Sequence, residues 1–372
     1  MAAERNRGFA AVAGVCRILL GAVFVFSGLA KSVDPWGTAL KIEEYFAAFG
    51  VGGLAPTAPV LAVGQCALEL VLGLMLLFGT ARRLASCIAL LLMGCFTLLT
   101  LVIAVWNPVD DCGCFGDALR LSNWMTFAKN AVLLPVAAVV WRDAKARGGF
   151  AFTRGDTVWS AAFLLLALAL NLYSWFCLPP VDTSAYRVGT DLRRDVLCTS
   201  CMNRSVVLVY EDVHTGELRE FSLSDTTWYD TARWRYVDTR TGYDDLPEEA
   251  QEYDFALWRD GRDVADEVVF AQGATCLVLV RDAGELSARC RRSIAELAAA
   301  ADATGVRVVY VVGTDGGDVP EPFVVGGRSV PAYGMDRRLM ARLLRADAGA
   351  LRIEDGVITA KRPCRTMAEI AE

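Results

Sequence analysis

Cys112 and Cys114 stand one residue apart in the run Asp110-Asp111-Cys112-Gly113-Cys114-Phe115-Gly116-Asp117. Two thiols so spaced close a disulfide only in a small ring of distorted geometry, and Gly113 supplies the backbone freedom that such a ring needs. A strained disulfide is easily reduced, and the loop is too short to restrain an unfolded chain. The spacing therefore suits electron transfer better than stapling. Two ordinary interfacial cysteines, or a soft-metal site, remain open on spacing alone, although no convincing further ligands lie nearby. A second pair, Cys198-Thr199-Ser200-Cys201, has the Cys-x-x-Cys spacing of exchange chemistry. It either relays electrons to Cys112 and Cys114, or forms a structural disulfide or half of a zinc site. These four are the candidate catalytic residues. Cys16, Cys66, Cys87 and Cys95 read as small packing residues in apolar runs, while Cys177, Cys276, Cys290 and Cys364 are singletons without assignable partners.

Three further residues are candidates for a cofactor or proton site. Arg17 and Glu69 sit inside long apolar runs at nearly matching depths, where each alone would cost about 2–4 kcal/mol in lipid. A mutual ion pair is the economical solution, and Gln65, one helical turn before Glu69, shares its face. The alternative is a pair that merely fixes helix register. His214 is the only histidine and sits beside Thr215-Gly216 between two strand-like runs, so it reads as a turn residue. Histidine catalysis and multi-histidine metal sites are thereby disfavoured, and no metal is expected.

The elements that must position these residues are chiefly membrane helices. Apolar residues make up 54% of the 372, too many for an ordinary soluble enzyme. Five stretches, residues 9–30, 57–79, 84–106, 124–141 and 158–178, are long enough to cross a hydrocarbon core, which needs about 20 helical residues. The first lacks a following cleavage site and reads as a retained helix. Arg5 and Arg7, then Arg82 and Arg83, then Arg142, Lys145, Arg147 and Arg154 alternate with loops where acidic residues balance or outnumber basic ones. By the positive-inside rule the N-terminus is cytoplasmic and the C-terminal half outside. Trp36, Trp106, Trp124, Trp141, Trp159 and Trp175 fall near predicted helix ends, as interfacial rings do. Lys129 and Asn130 open the fourth helix, where the lysine reads as a snorkelling anchor. Net charge is −6 with no basic cluster in the soluble half, which gives no footprint for nucleic acid.

Beyond Pro179-Pro180 the composition alternates. Residues 179–270 read as a β-rich linker region with a hairpin of strands 205–211 and 217–223. Residues 271–372 read as strand 274–280, helix 285–303, strand 306–312, helix 336–346 and a final hairpin at Asp355-Gly356. A strand, crossover helix and strand imply parallel pairing, and the set looks thioredoxin-like. Active thioredoxin-like proteins carry Cys-x-x-Cys at the start of the first long helix, yet Asp282-Ala283-Gly284-Glu285 stands there, and Ala348-Gly349 replaces the expected proline.

The run DCGCFGDALRLSNWMTFAKNAVLL, with the preceding FSGLAKSVDPWGTALKIEEYFAAFG, resembles the MauE and DoxX families of small helical membrane proteins over about residues 10–142. The CGCFG segment and the Ser27-Gly28-x-x-Lys31 helix end before Asp34-Pro35 carry the likeness. MauE-like proteins are associated with methylamine utilisation and disulfide formation in a periplasmic dehydrogenase, and DoxX-like proteins with quinone-linked sulfur oxidation. The resemblance implies a multi-pass protein of the bacterial inner membrane; it stops at the helices, and the loop charges, not the resemblance, place the C-terminal domain in the periplasm. The resemblance makes Cys112 and Cys114 redox residues, a quinone the acceptor and an extracytoplasmic thiol protein the partner. The expected function is a membrane thiol:quinone oxidoreductase; the alternative is a non-enzymatic scaffold whose outer domain binds a partner protein.

Overall fold

The computed structural model describes residues 2–109, 111–119, 121–147, 153–192, 204–213, 215–222, 233–243, 255–269, 271, 273–314 and 322–371. It divides into two compact units. One comprises residues 1–187 with 340–349 and 362–365, and the other residues 188–339 with 350–361 and 366–372.

The first unit is helical: α1 (Ala2–Val33), α2 (Pro35–Ala48), a 3-10 segment (Gly52–Thr57), α3 (Ala58–Phe78), α4 (Arg82–Trp106), α5 (Asn123–Arg147) and α6 (Arg154–Cys177), with a short strand β1 (Cys114–Asp117) between α4 and α5. Among the described residues five helical spans are long and apolar enough to cross a membrane, Gly8–Val33, Gly52–Phe78, Arg82–Trp106, Asn123–Arg147 and Arg154–Cys177, as the hydropathy pattern predicts. Their outer faces expose residues such as Val15, Val60, Leu91, Leu98, Val132 and Leu165, the surface a helix presents to hydrocarbon. Inside, Leu20, Phe24, Leu72, Leu76, Met93 and Leu133 form one core cluster drawn from α1, α3, α4 and α5.

Two local features shape the site. The first predicted span ends at residue 30, whereas α1 continues to Val33, so Lys31 is helical and buried at 4% exposure. The chain breaks at Asp34-Pro35, because proline lacks an N–H and disfavours helical geometry in the residue before it. Asp34 then caps α2 by accepting from Gly37 N at 2.8 Å. That helix lies in what the hydropathy pattern leaves as a loop. It buries Pro35, Trp36, Thr38 and Ala39, and Trp36 stacks on Trp175 at 4.3 Å between centroids.

The second unit contains a three-stranded antiparallel sheet ordered β3-β2-β4, from β2 (Arg204–Asp212), β3 (Leu218–Ser222) and β4 (Trp234–Tyr243). The expected hairpin is present, with Leu208 opposite Phe221, while His214 lies outside the described residues. Onward run β5 (Trp258–Arg259), β6 (Arg262–Asp263), α7 (Ala265–Val269), β7 (Ala274–Val280), α8 (Ala288–Thr304), β8 (Arg307–Thr314), β9 (Phe323–Val325), β10 (Arg328–Val330), β11 (Ala332–Asp336), α9 (Arg337–Leu344), β12 (Ala348–Glu354), β13 (Val357–Pro363) and a closing 3-10 segment. A seven-stranded sheet takes the order β13-β12-β7-β8-β11-β5-β6. The expected parallel pairing of β7 with β8 is present, and β11 extends it. The helix after β7 begins at Ala288 behind a Ser287 cap, three residues later than expected, which places Cys290 in its first turn. Cys290 and Cys364, to which the sequence assigns no partner, are disulfide-bonded. Cys177 and Cys276 are free thiols.

Candidate functional site

Helices α1 and α3 pack so closely that glycine is required on both. A Cβ on Gly28 would lie 2.4 Å from Leu70 N, and one on Gly73 would lie 2.5 Å from Val25 N. Backbones approach this far only through residues without side chains. In the resulting antiparallel register Glu69 faces the stretch between Ser27 and Lys31, which lie one turn apart on the same face of α1.

The pairing of Arg17 with Glu69 is therefore corrected. Glu69 Oε1 accepts from Lys31 Nζ at 2.7 Å and from Gln65 Nε2 at 3.1 Å, and Ser27 Oγ lies 2.6 Å from Oε2. Arg17 sits about a dozen residues, roughly 18 Å, farther along α1, and donates to the carbonyl oxygens of Leu76 and Leu77, the latter at 3.0 Å. Matching the depths counted from predicted helix ends misses this, because Lys31 falls beyond the predicted end of the first helix and enters the reading as a loop charge. Gln65 is where its spacing places it. The sequence signals that could have found the pair are the four-residue step from Ser27 to Lys31 and the glycines at 28 and 73.

The loop carrying the two cysteines is built over the ends of α1 and α2. Gly113 has φ +60°, and a Cβ there would come 2.8 Å from Lys41 Cγ, so both conformation and space call for glycine. Gly113 N donates to Asp111 Oδ1 at 2.9 Å, and Tyr45 Oη donates to the carbonyl of Cys112 at 2.8 Å. Lys41 bridges Asp111 at 3.0 Å and Glu44 at 2.8 Å. On the other side Ser27 Oγ lies 2.6 Å from the carbonyl oxygen of Cys114, and Phe115 packs edge-on against Phe26. Arg345, in the same compact unit, pairs with Asp34 at 3.1 Å and with Asp117 at the end of β1. These ties bring the two sulfurs to 2.7 Å apart as free thiols, so only a small displacement separates them from a covalent S–S distance of about 2.05 Å.

A cavity of about 160 Å³ opens beneath the thiols and runs into the bundle between α1, α3, α4 and α5. Phe24, Met93, Phe96, Phe115 and Leu133 give it apolar walls, and Cys112, Cys114, Ser27, Lys31, Gln65, Glu69, Lys129 and Asn130 give it polar ones. Lys129 Nζ lies 4.1 Å from the Phe115 ring centroid, so this lysine is a wall of the cavity rather than the snorkelling anchor expected. A space of this size accommodates one six-membered ring, and the Lys129 ammonium can satisfy a ring oxygen, while Asn130 Nδ2 is already bonded to Phe96 O and Thr100 Oγ1. On the far side of the loop a smaller polar cavity of about 40 Å³ is lined by Lys41, Asp111, Asp117 and Thr38. Cys112 borders both cavities, whereas Cys114 borders only the inner one.

Electrostatics separates the two thiols. Cys112 is pulled down to about 6, chiefly by the hydrogen bond from the Cys114 thiol, against the opposing effect of burial and with help from Thr126, the Cys114 N–H and Lys129. Cys114 is pushed up by that same hydrogen bond and by burial. Burial also raises Tyr45, which keeps its phenol protonated as the donor to Cys112. For Lys41, burial lowers the ammonium but Asp111 and Glu44 outweigh it, so the net shift is upward. Among the described residues no group of three or more His, Cys, Asp or Glu is placed to hold a metal ion. Cys198 and Cys201 lie outside the described residues.

Residues 9–142, the stretch that builds the bundle core and the thiol loop, match the family model described as methylamine utilisation protein MauE, which bears out the MauE part of the resemblance read from the sequence. No curated protein and no solved structure matches the chain.

Proposed function

From a membrane region that is MauE-like over residues 9–142, we propose that this protein is a membrane thiol:quinone oxidoreductase working on the extracytoplasmic side. The observation that carries this reading is the pair of free sulfurs 2.7 Å apart at the mouth of a ring-sized cavity among membrane-spanning helices. A quinone bound there would accept two electrons and two protons. Cys112, bordering the outer polar cavity and thiolate at neutral pH, is the sulfur that exchanges with a thiol protein through a mixed disulfide. The partner's second thiol then releases Cys112 from the mixed disulfide and leaves the pair reduced, and as the Cys112–Cys114 bond re-forms, two electrons and the Cys114 proton pass to the acceptor, whose second proton comes from solvent because Cys112 is already thiolate.

Several features support this assignment. Phe96, Phe115 and Met93 give the inner cavity apolar walls, and Lys129 offers a donor to a ring oxygen. Disulfide-bonded Cys290 and Cys364 accord with an oxidising compartment for the C-terminal half, since such bonds persist outside the cytoplasm. The β7-α8-β8 unit, α9 and the β12-β13 hairpin support a thioredoxin-like reading of that half, suited to meeting a thiol protein.

The test is anaerobic. Full-length protein in nanodiscs, reduced with dithiothreitol and freed of it, is mixed with a short-chain ubiquinone while quinone absorbance and free thiols are followed. One quinone should be reduced per pair of thiols lost, and Cys112→Ser and Cys114→Ser should each abolish the reaction. Quinone reduction by both serine variants at the normal rate, or none by the native protein, would leave the scaffold reading in its place.

A further inference from the structure

We propose that Glu69 is the proton-exchanging group of this site, taking up a proton released when the thiols become a disulfide and handing it to the acceptor in the cavity. The inference rests on the redox reading above and assigns a role to the most deeply buried ion pair among the described residues of the bundle.

The argument starts from one hydroxyl hydrogen. Ser27 Oγ lies 2.6 Å from Glu69 Oε2 and 2.6 Å from the carbonyl oxygen of Cys114. A carbonyl oxygen only accepts, and an ionised carboxylate only accepts, so a single Ser27 proton cannot serve both. All contacts are satisfied together when Glu69 carries a proton on Oε2. It then donates to Ser27, Ser27 donates to Cys114, and Oε1 still accepts from Lys31 at 2.7 Å and from Gln65 at 3.1 Å. When Glu69 is ionised, Ser27 turns towards it and the Cys114 carbonyl loses its donor. Ser27 thus couples the protonation of a carboxyl buried at 1% exposure to the backbone of the redox loop. Lys31, at 4% exposure, is the cation that pairs with Glu69 in its ionised form.

The chemistry supplies the need. Oxidation of the thiolate–thiol pair forms one S–S bond and releases two electrons and the Cys114 proton; the electrons go to the quinone-type acceptor of the reading above, whose second proton comes from solvent. That acceptor needs both protons inside a cavity walled mostly by apolar side chains, where water is a poor carrier. Glu69 and Ser27 line this cavity together with both cysteines. Among the described residues, the titratable or charged groups that face it are Lys31 from α1, Tyr45 from α2, Glu69 from α3, Cys112 and Cys114 from the loop and Lys129 from α5. Of these only Glu69 is a carboxyl.

Infrared redox difference spectroscopy of the full-length protein in nanodiscs, without quinone, reads the coupling directly. Cycling the thiols electrochemically should change a protonated-carboxyl band in the native protein, and Glu69→Gln should lose it. With a short-chain ubiquinone, Glu69→Gln should slow electron transfer by about 100-fold, the ordinary scale of acid–base assistance, with little change in half-saturation. Because Glu69→Gln leaves Lys31 buried and unpaired, Lys31→Gln/Glu69→Gln, which neutralises both, is measured beside it and should show the same losses. A redox-linked carboxyl band that persists in either variant, or native transfer rates in both, would overturn the role of Glu69. A band that behaves as expected while no form reduces quinone would uphold Glu69 and reject the quinone.

Discussion

Two thiols with the same side chain and nearly the same address are made different by their hydrogen bonds. Cys112 accepts from the Cys114 thiol and, at 3.3 Å, from the Cys114 N–H, while Lys129 adds positive charge nearby. A thiol held down to about 6 is thiolate at neutral pH and loses that form as pH falls through 6. Alkylation of the reduced protein, read by mass spectrometry of the 112–114 peptide, should label Cys112 first, with a half-point near pH 6. In Cys114→Ala the main donor is gone and the half-point should rise towards the ordinary thiol value of about 8.5. A half-point unmoved by that change would mean that another group sets the reactivity of Cys112. The chemistry of this pair is legible in the sequence because its two members and Gly113 are neighbours in the chain. The partner of Glu69 is not, because it depends on which residues of another helix come opposite, and one residue of error at the end of α1 removes Lys31 from consideration.

At the scale of elements, the hydropathy pattern finds all five spans because twenty apolar residues in a row have few other uses. It misses α2, whose short apolar stripe is interrupted by Lys41, Glu43 and Glu44, although the Asp34-Pro35 cap signal was present. It also misses the contact that organises the site. Glycines in membrane helices are common, and sequence alone does not say which of them touch a neighbour. Gly28 and Gly73 touch backbone, at 2.4 and 2.5 Å from an added Cβ, whereas Gly64 on the same α3 has nothing within 4 Å. Gly28→Ala and Gly73→Ala should therefore each destabilise the bundle, by about 1–3 kcal/mol or more, since backbone cannot yield as a side-chain tip does. Gly64→Ala should be neutral or slightly stabilising, as alanine is the better helix former. Thermal unfolding in one detergent compares the three. Equal effects at 64 and 28 would show that close packing of α1 on α3 is not what the glycines provide.

For the whole molecule, the redox reading requires that the thiol loop and the C-terminal half share one compartment, opposite the N-terminus. The loop charges point that way, and the ion pairs sharpen the count. Lys31 is neutralised by Glu69 inside the bundle, and Lys41 is held by Asp111 and Glu44, so neither leaves free positive charge between the first two spans. The connection between α3 and α4 keeps Arg82 and Arg83, and the end of α5 keeps Arg142, Lys145 and Arg147. Basic residues in short loops resist translocation, so the proposed topology keeps these connections cytoplasmic. With the five candidate spans among the described residues, that topology would put the chain after Cys177 outside. Alkaline phosphatase fused after Asp117 or Val181 should be active, and a fluorescent protein that folds only in the cytoplasm should glow after Arg147 but not after Val181. Replacing Arg82 and Arg83 by Glu should weaken this pattern, because it removes the positive charge that holds the second connection inside. A glowing Val181 fusion in the native sequence would place Cys290 and Cys364 in a reducing compartment, where their disulfide bonds would not persist, and would withdraw the extracytoplasmic thiol partner with them.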